Sequence, residues 1–141
     1  EFRVPYVSCN GRKNNPIKNM LKNKIYTHFT PKISSLDAKK KWIIGSLKSS
    51  AIIFVDQGAS SALNNGKSLL AAGVTKIAGS FNKGENVLIV DQNNKHLARG
   101  LASFNSDEIN KIKGKQSKEI EKILGYLSKS EIIHKDDMVM L

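Results

Sequence analysis

Cysteine is nearly absent from this sequence. Cys9 stands alone, so no internal disulfide can form, and a cytosolic setting is the default expectation. A single Cys in an apolar stretch reads as a small packed residue rather than a nucleophile. Arginine is almost as scarce, three residues against twenty lysines. Aromatic residues make up only 6% of the chain, which argues against a surface of stacking platforms for single-stranded nucleic acid. No run of about 18 apolar residues occurs, so no helical membrane span is expected. The first residues carry no secretory pattern. Also missing are a Gly-x-x-x-x-Gly-Lys-Ser/Thr phosphate loop, a Gly-x-Ser-x-Gly nucleophile elbow and a His-Glu-x-x-His metal site.

What is present is a chain of 141 residues, 40% of them hydrophobic. That length allows one domain, or one domain and part of another, with enough apolar material for a core. The net charge is +11 and uneven: +9 over residues 1–50, +2 over 51–100 and zero over 101–141. A basic first third suits phosphates or RNA. The excess of Lys over Arg, together with abundant Asn and Ile, points instead to compositional drift. A surface tuned for bidentate phosphate and base contacts would be richer in Arg.

The chain is organised around residues 55–74. An apolar run over 51–55 ends at Asp56, and Gly58-Ala59 opens a short Ala/Ser-rich helix. Asn64-Asn65-Gly66 closes it, with Gly66 where a left-handed cap is needed. Ser68-Leu69-Leu70 is expected to bury, Gly73 to turn, and Val74 to open the next strand. Asp56 follows a strand and precedes a helix, a position open to a catalytic acid. With no second acid, base or phosphate loop near it in sequence, capping the helix is the preferred reading.

Before this corner, residues 3–9 read as a short strand with Pro5 near its start. Asn10-Gly11 is a turn signal, and Pro16 opens a helix with Ile17, Met20 and Leu21 on one face, ending near Asn23-Lys24. Residues 25–29 are extended, before Thr30-Pro31. A strand, a turn and one helix cannot bury a core alone, so residues 1–30 are expected to be the end of a larger α/β domain. Residues 32–41 are polar, a linker or exposed helix start. Lys39-Lys40-Lys41-Trp42 has two readings: a phosphate clamp with a stacking ring, or a solvated helix turn whose Trp packs between domains, the latter preferred.

After it the pattern is β-rich, with strands expected over 51–55, 74–81, 86–91 and 96–104 and polar turns at 82–85 and 91–95. Ser106 is the expected cap of a helix with Ile109 and Ile112 inward. Ser117 starts another, with Ile120, Ile123 and Leu124 on one face and Gly125 as its cap. Ile132-Ile133 forms a last strand. His134, Asp136 and Asp137 are the one His/acid cluster. Extended residues alternate faces, so a polar strand end is preferred over a metal or acid–base site. His28 and His96 have no ligand spacing.

Taken in order, several short motifs form a set: Lys40-Lys41-Trp42-Ile43, Val55-Asp56-Gln57-Gly58-Ala59 with Ala62-Leu63, Ser68-Leu69-Leu70-Ala71-Ala72-Gly73-Val74, Gly79-Ser80-Phe81 with Gly84, Ala98-Arg99-Gly100-Leu101, Leu124-Gly125-Tyr126, and Ile133-His134-Lys135-Asp136. This set resembles the carboxyl-terminal part of the bacterial glutamate 5-kinase family. Thr27-His28-Phe29 departs from the Gly-Thr usual before that Phe, and His134-Lys135-Asp136-Asp137 departs from His-Arg-Asp-Asn. The resemblance implies a mixed, mainly β fold: a PUA-type pseudo-barrel with short helices over 51–141, preceded by a linker over 32–50. Residues 1–31 would be a strand–helix remnant of an α/β amino-acid-kinase domain.

It further implies a cytoplasmic parent enzyme of proline biosynthesis that phosphorylates L-glutamate with Mg-ATP, giving L-glutamyl 5-phosphate. The groups that do this lie in glycine-rich and Lys-bearing segments absent from this sequence, so the chain itself is expected to hold no catalytic, cofactor or metal residue. The expected role is a regulatory or structural module touching its own kinase domain and other subunits of a homo-oligomer, with no membrane partner. The alternative is an RNA-binding PUA module whose candidate RNA or partner surface includes Lys67, Lys76 and Arg99. Asp56, Gly58, Gly66, Gly73 and Trp42 are read as structural.

Overall fold

The computed structural model describes residues 6–12, 14–30, 34–45, 51–126 and 129–141. The expectations at Val4, Pro5 and Pro31, and at the ends of the 32–50 span, lie outside the described residues. The chain divides into two units, Glu1–Ala38 and Lys39–Leu141.

In the first unit, strands β1 (Tyr6–Ser8) and β2 (Thr27–Phe29) pair antiparallel, Tyr6 opposite Phe29. Their rings stack with centroids 4.5 Å apart. Helix α1 (Pro16–Asn23) lies between them in sequence, with Pro at its start, where a missing N–H costs nothing. Asn15 and Lys24 bracket it with φ of 53°, and the Lys24 N–H returns to the Met20 carbonyl. None of these three elements contains a buried residue, and Ile17 and Leu21 are 67% and 69% exposed on one helix face. A two-stranded hairpin with so little burial is marginal by itself.

Helix α2 (Ser35–Gly45) occupies most of the span read as a linker, and from Lys39 onward it belongs to the second unit. There follow β3 (Ile52–Val55), α3 (Gln57–Asn64), β4 (Leu69–Leu70), a 3-10 turn (Ala71–Gly73) and β5 (Val74–Ala78). Then come β6 (Asn86–Val90), β7 (His96–Leu101), α4 (Ser106–Ile112), α5 (Ser117–Leu124), β8 (Glu131–Ile133), a 3-10 turn (Lys135–Asp137) and β9 (Met138–Met140). The main sheet runs β5-β3-β6-β7-β9, while β4 and β8 pair separately. Only β3 and β6 are parallel among these ladders.

Alternation decides the core. Ile53 and Val55 of β3, Val87 and Ile89 of β6 and Ala98 of β7 point inward. They meet Leu63 of α3, Ile109 and Ile112 of α4, Ile120 of α5 and Ile132 and Ile133 of β8 in one buried cluster. Each such Ile or Leu contributes about 1.5–3 kcal/mol through burial. The fold is therefore mainly β, with a five-stranded sheet and short helices.

Several local expectations need correction. Asn105, not Ser106, caps α4, accepting from the Glu108 N–H at 2.9 Å while the Glu108 carboxylate accepts from the Asn105 N–H at 2.9 Å. The pair at α4 is a capping box whose first member sits one residue earlier than expected. Helix α5 starts at Ser117, as expected; just before it the Gln116 N–H donates to the Glu119 carboxylate at 2.9 Å and the Glu119 N–H to the Gln116 carbonyl at 2.9 Å. Ile123 is exposed, because only Ile120 and, in part, Leu124 reach the core. Leu70 is exposed too: in β4 it alternates away from buried Leu69. The strands over 74–78 and 96–101 end earlier than expected, where Gly79 takes φ of 80° and the chain bends at 103–104.

Candidate functional site

Asp56 leaves β3 in extended conformation and begins α3. Its Oδ1 accepts from the Ala59 N–H at 2.7 Å, and its own N–H donates to the Gly73 carbonyl at 3.0 Å. The carboxylate thus satisfies a helix-start donor and stands near the positive end of the helix dipole. Gly73 lies directly beneath α3: a Cβ built there would come within 2.4 Å of the Ala59 Cβ. Gly66 has a different reason to be glycine, φ of +71° at the end of α3. Gly58 is held least, since a Cβ would meet only the Asp56 Oδ1, at 3.3 Å.

This close approach leaves a groove of about 520 Å³ beside α3. Gly58, Ala59 and Ala62 of α3 line it together with Leu70, Ala72 and Gly73, and so do the polar residues Asp56, Lys67, Ser68 and Glu131. Lys67 is exposed in the α3–β4 connection, and the Ser68 hydroxyl accepts from the Lys135 N–H at 3.0 Å. Small apolar side chains line most of the groove, whose lining holds one cation, Lys67, and two acids, Asp56 and Glu131. Its polar groups include no nucleophile paired with a base.

The other two candidate cations lie elsewhere. Lys76 pairs with Phe54 across β5 and β3, its ammonium 5.8 Å from the ring centre. Arg99, on β7, pairs with Leu88 of β6 and Val139 of β9, and its Nη1 donates to the Ile44 carbonyl at 3.4 Å. The pairing register puts both on the outer face of the main sheet, three strand spacings or about 14 Å apart across it. The fold therefore groups Lys76 with Arg99 on one face, without contact, and leaves Lys67 at the groove. Trp42 is 59% exposed on α2.

The acidic cluster near the C-terminus differs from its expected form. Residues 135–137 make a 3-10 turn rather than a strand end, because the His134 Nδ1 accepts from the Asp136 N–H at 3.2 Å and curls the chain. Asp137 is turned to an ion pair with Lys39. No group of three or more His, Cys, Asp or Glu side chains among the described residues is arranged to hold a metal ion. Asp56 is engaged in capping and Asp137 in an ion pair, so neither carboxylate is free to hold Mg-ATP.

Three features escaped the sequence reading. Gly100 sits mid-strand with the Ile133 Cγ2 2.6 Å from where its Cβ would be; an isolated Gly inside a strand was the available signal. Tyr126, just past the left-handed Gly125, donates its hydroxyl to the Glu108 Oε1 at 2.6 Å. That bond is the main cause holding the Glu108 carboxyl below its ordinary range, opposed by desolvation, and it raises the Tyr126 phenol. Asn86 reaches the Ile43 carbonyl at 2.6 Å, a long-range contact without a sequence signature.

The family model for the PUA domain matches residues 51–124, and the chain belongs to that family. The likeness extends beyond this module. Over 133 residues the chain is 56% identical to a protein of Pelagibacter ubique (strain HTCC1062) named glutamate 5-kinase, covering 94% of this chain and 36% of that protein. Over 134 residues it is 45% identical to the glutamate 5-kinase of Bartonella henselae, covering 95% and 35% respectively. The chain therefore spans little more than a third of the length of these curated relatives. Among solved structures, a PUA domain from Aeropyrum pernix K1 aligns with a TM-score of 0.45 and 22% identity, over 60% of this chain and 41% of that one. Among the described residues, no helix is long and apolar enough to cross a membrane.

Proposed function

We propose that this chain is the carboxyl-terminal, non-catalytic region of a glutamate 5-kinase, and that it serves the enzyme as a structural or regulatory module. The parent reaction would transfer phosphate from Mg-ATP to the side-chain carboxylate of L-glutamate, giving L-glutamyl 5-phosphate for proline biosynthesis in the cytoplasm. One observation carries the reading: the 133-residue match is longer than the second unit, so it takes in most of the first as well. A shared PUA module alone would not produce that. On this reading residues 1–31 are the end of the kinase domain, 32–50 the connection and 51–141 the PUA domain. The exposed Ile17, Leu21 and Tyr6–Phe29 surfaces would be covered by the remainder of the kinase domain. The partners would be that domain and further copies of the enzyme.

Glutamate- and ATP-dependent acyl phosphate formation, trapped as hydroxamate, tests this. The full gene product should form it and this chain alone should not. Activity in the chain alone, or none in the full product, overturns the proposal.

A second reading, RNA binding, rests on exposed Lys67 at the rim of the α3 groove. It predicts salt-dependent RNA binding by the chain, lost in Lys67→Ala and Lys76→Ala. No RNA shift at low salt removes it.

A further inference from the structure

The family match begins at residue 51, yet the second folded unit begins at Lys39. The last turns of α2 explain the difference. A helix leaves its final carbonyls without intrahelical donors. Here two of them meet side chains from the main sheet: the Asn86 Nδ2 of β6 donates to the Ile43 carbonyl at 2.6 Å, and the Arg99 Nη1 of β7 to the Ile44 carbonyl at 3.4 Å. Arg99 also brings positive charge to the negative end of the helix dipole. One turn back, Lys39 pairs with Asp137, in the 3-10 turn that leads into β9. Between these contacts the Ile43 side chain is 0% exposed, on the same helix face as Lys39. It lies outside the main core cluster. Lys41 and Trp42 face solvent.

Asn86 and Arg99 share one side of the sheet: Asn86 is two residues from Leu88, the partner of Arg99. That side is opposite the one that buries Val87 and Ile89. Three separate segments of the second unit therefore converge on two turns of helix.

We infer that Lys39–Ile44 is a clasped arm of the PUA module, held on the outer face of its sheet by Asn86, Arg99 and Asp137. The clasp fixes where the chain enters the module. It also commits Arg99 to a helix carbonyl, so the part of the sheet beneath α2 is closed to nucleic acid. This stands apart from the kinase reading, since it uses contacts within the second unit alone.

Hydrogen exchange on the full 141-residue chain tests it. Amides 42–45 should be protected well above the unstructured rate. Arg99→Gln with Asp137→Asn should speed their exchange about tenfold, since a charged helix cap and a partly buried ion pair are both lost. Peptides from β6, β7 and α4 should stay unchanged, as should amides 42–45 in Lys41→Gln. Raising salt to about 1 M should accelerate exchange there in the wild type and not in Asp137→Asn. Unprotected amides in the wild type overturn the clasp. So does an unchanged rate in the double variant, or a loss of protection spread evenly over the whole second unit.

Discussion

Replacing Gly73 by Ala probes the corner on which the second unit is built. The added Cβ would lie 2.4 Å from the Ala59 Cβ and 3.5 Å from its Cα. Carbon atoms attract at about 3.5–4.0 Å, so α3 or the 3-10 turn must retreat by more than an ångström. Neither neighbour is the end of a flexible side chain. Overpacking of this kind costs about 1–3 kcal/mol. The retreat also stretches the 3.0 Å bond from the Asp56 N–H to the Gly73 carbonyl, worth about 0.5–1.5 kcal/mol. We expect a total loss of about 2–4 kcal/mol, and a melting temperature lower by roughly 10 °C or more. Urea denaturation followed by far-UV circular dichroism measures it. Ala59→Gly in the same chain removes the atom that is struck. The double variant should recover the overpacking share and retain a deficit of about 1 kcal/mol from glycine in a helix. Gly58→Ala is the control: its Cβ would meet a carboxylate oxygen at 3.3 Å, and the loss should stay below about 1 kcal/mol. A Gly73→Ala chain within about 0.5 kcal/mol of wild type, or a double variant with no recovery, refutes the reasoning.

Gly100→Ala should destabilise by about 1–3 kcal/mol, because the new Cβ would meet the Ile133 Cγ2 at 2.6 Å and the Asp137 carbonyl oxygen at 3.0 Å; thermal melts at matched concentration check this. Tyr126→Phe removes the hydroxyl that lowers the Glu108 carboxyl. A depressed carboxyl adds stability above its unfolded pKa and loses it as pH falls through the folded one. In the variant, stability should therefore decline less between neutral pH and the acid range, by well under 1 kcal/mol at this exposed pair. The raised phenol has the opposite sign, adding stability below about pH 10 that is lost in stronger alkali. Denaturation midpoints from acid to alkaline pH follow both arms, and identical profiles for the two chains would count against the bond.

The β-rich half was legible because its signals are local and mutually consistent. Ile53 and Val55 alternate with half-exposed neighbours, as do Val87 and Ile89 up to buried Val90, and the intervening turns carry Asn and Gly. The cap at Asn105 was misplaced by one residue, since Ser106 is also a good cap type and the sequence does not say which hydroxyl or amide turns back. The sheet order and the β4–β8 pair were not legible, because pairing between residues more than sixty apart leaves no local mark. The three candidate cations show the same limit at the site. Their spacing in sequence gave no indication that Lys76 and Arg99 would share a sheet face, nor that Arg99 would meet a helix end.

That placement bears on the choice between the two functional readings. Each phosphate neutralised on a single strand contributes about 0.7 to the slope of log affinity against log salt, and nucleic-acid affinity at physiological salt is built from several such contacts. Among the three candidates, the Arg99 guanidinium meets the Ile44 carbonyl and the Lys76 ammonium lies over Phe54. Lys67 borders a groove lined mostly by Gly, Ala and Leu, which also holds Ser68 and the two acids Asp56 and Glu131. One or two contacts from this set would give a shallow salt slope and weak binding. A groove lined by Ala59, Ala62, Leu70 and Ala72 better suits an apolar side chain of a protein. The chemistry of this surface thus favours contact with protein over contact with RNA.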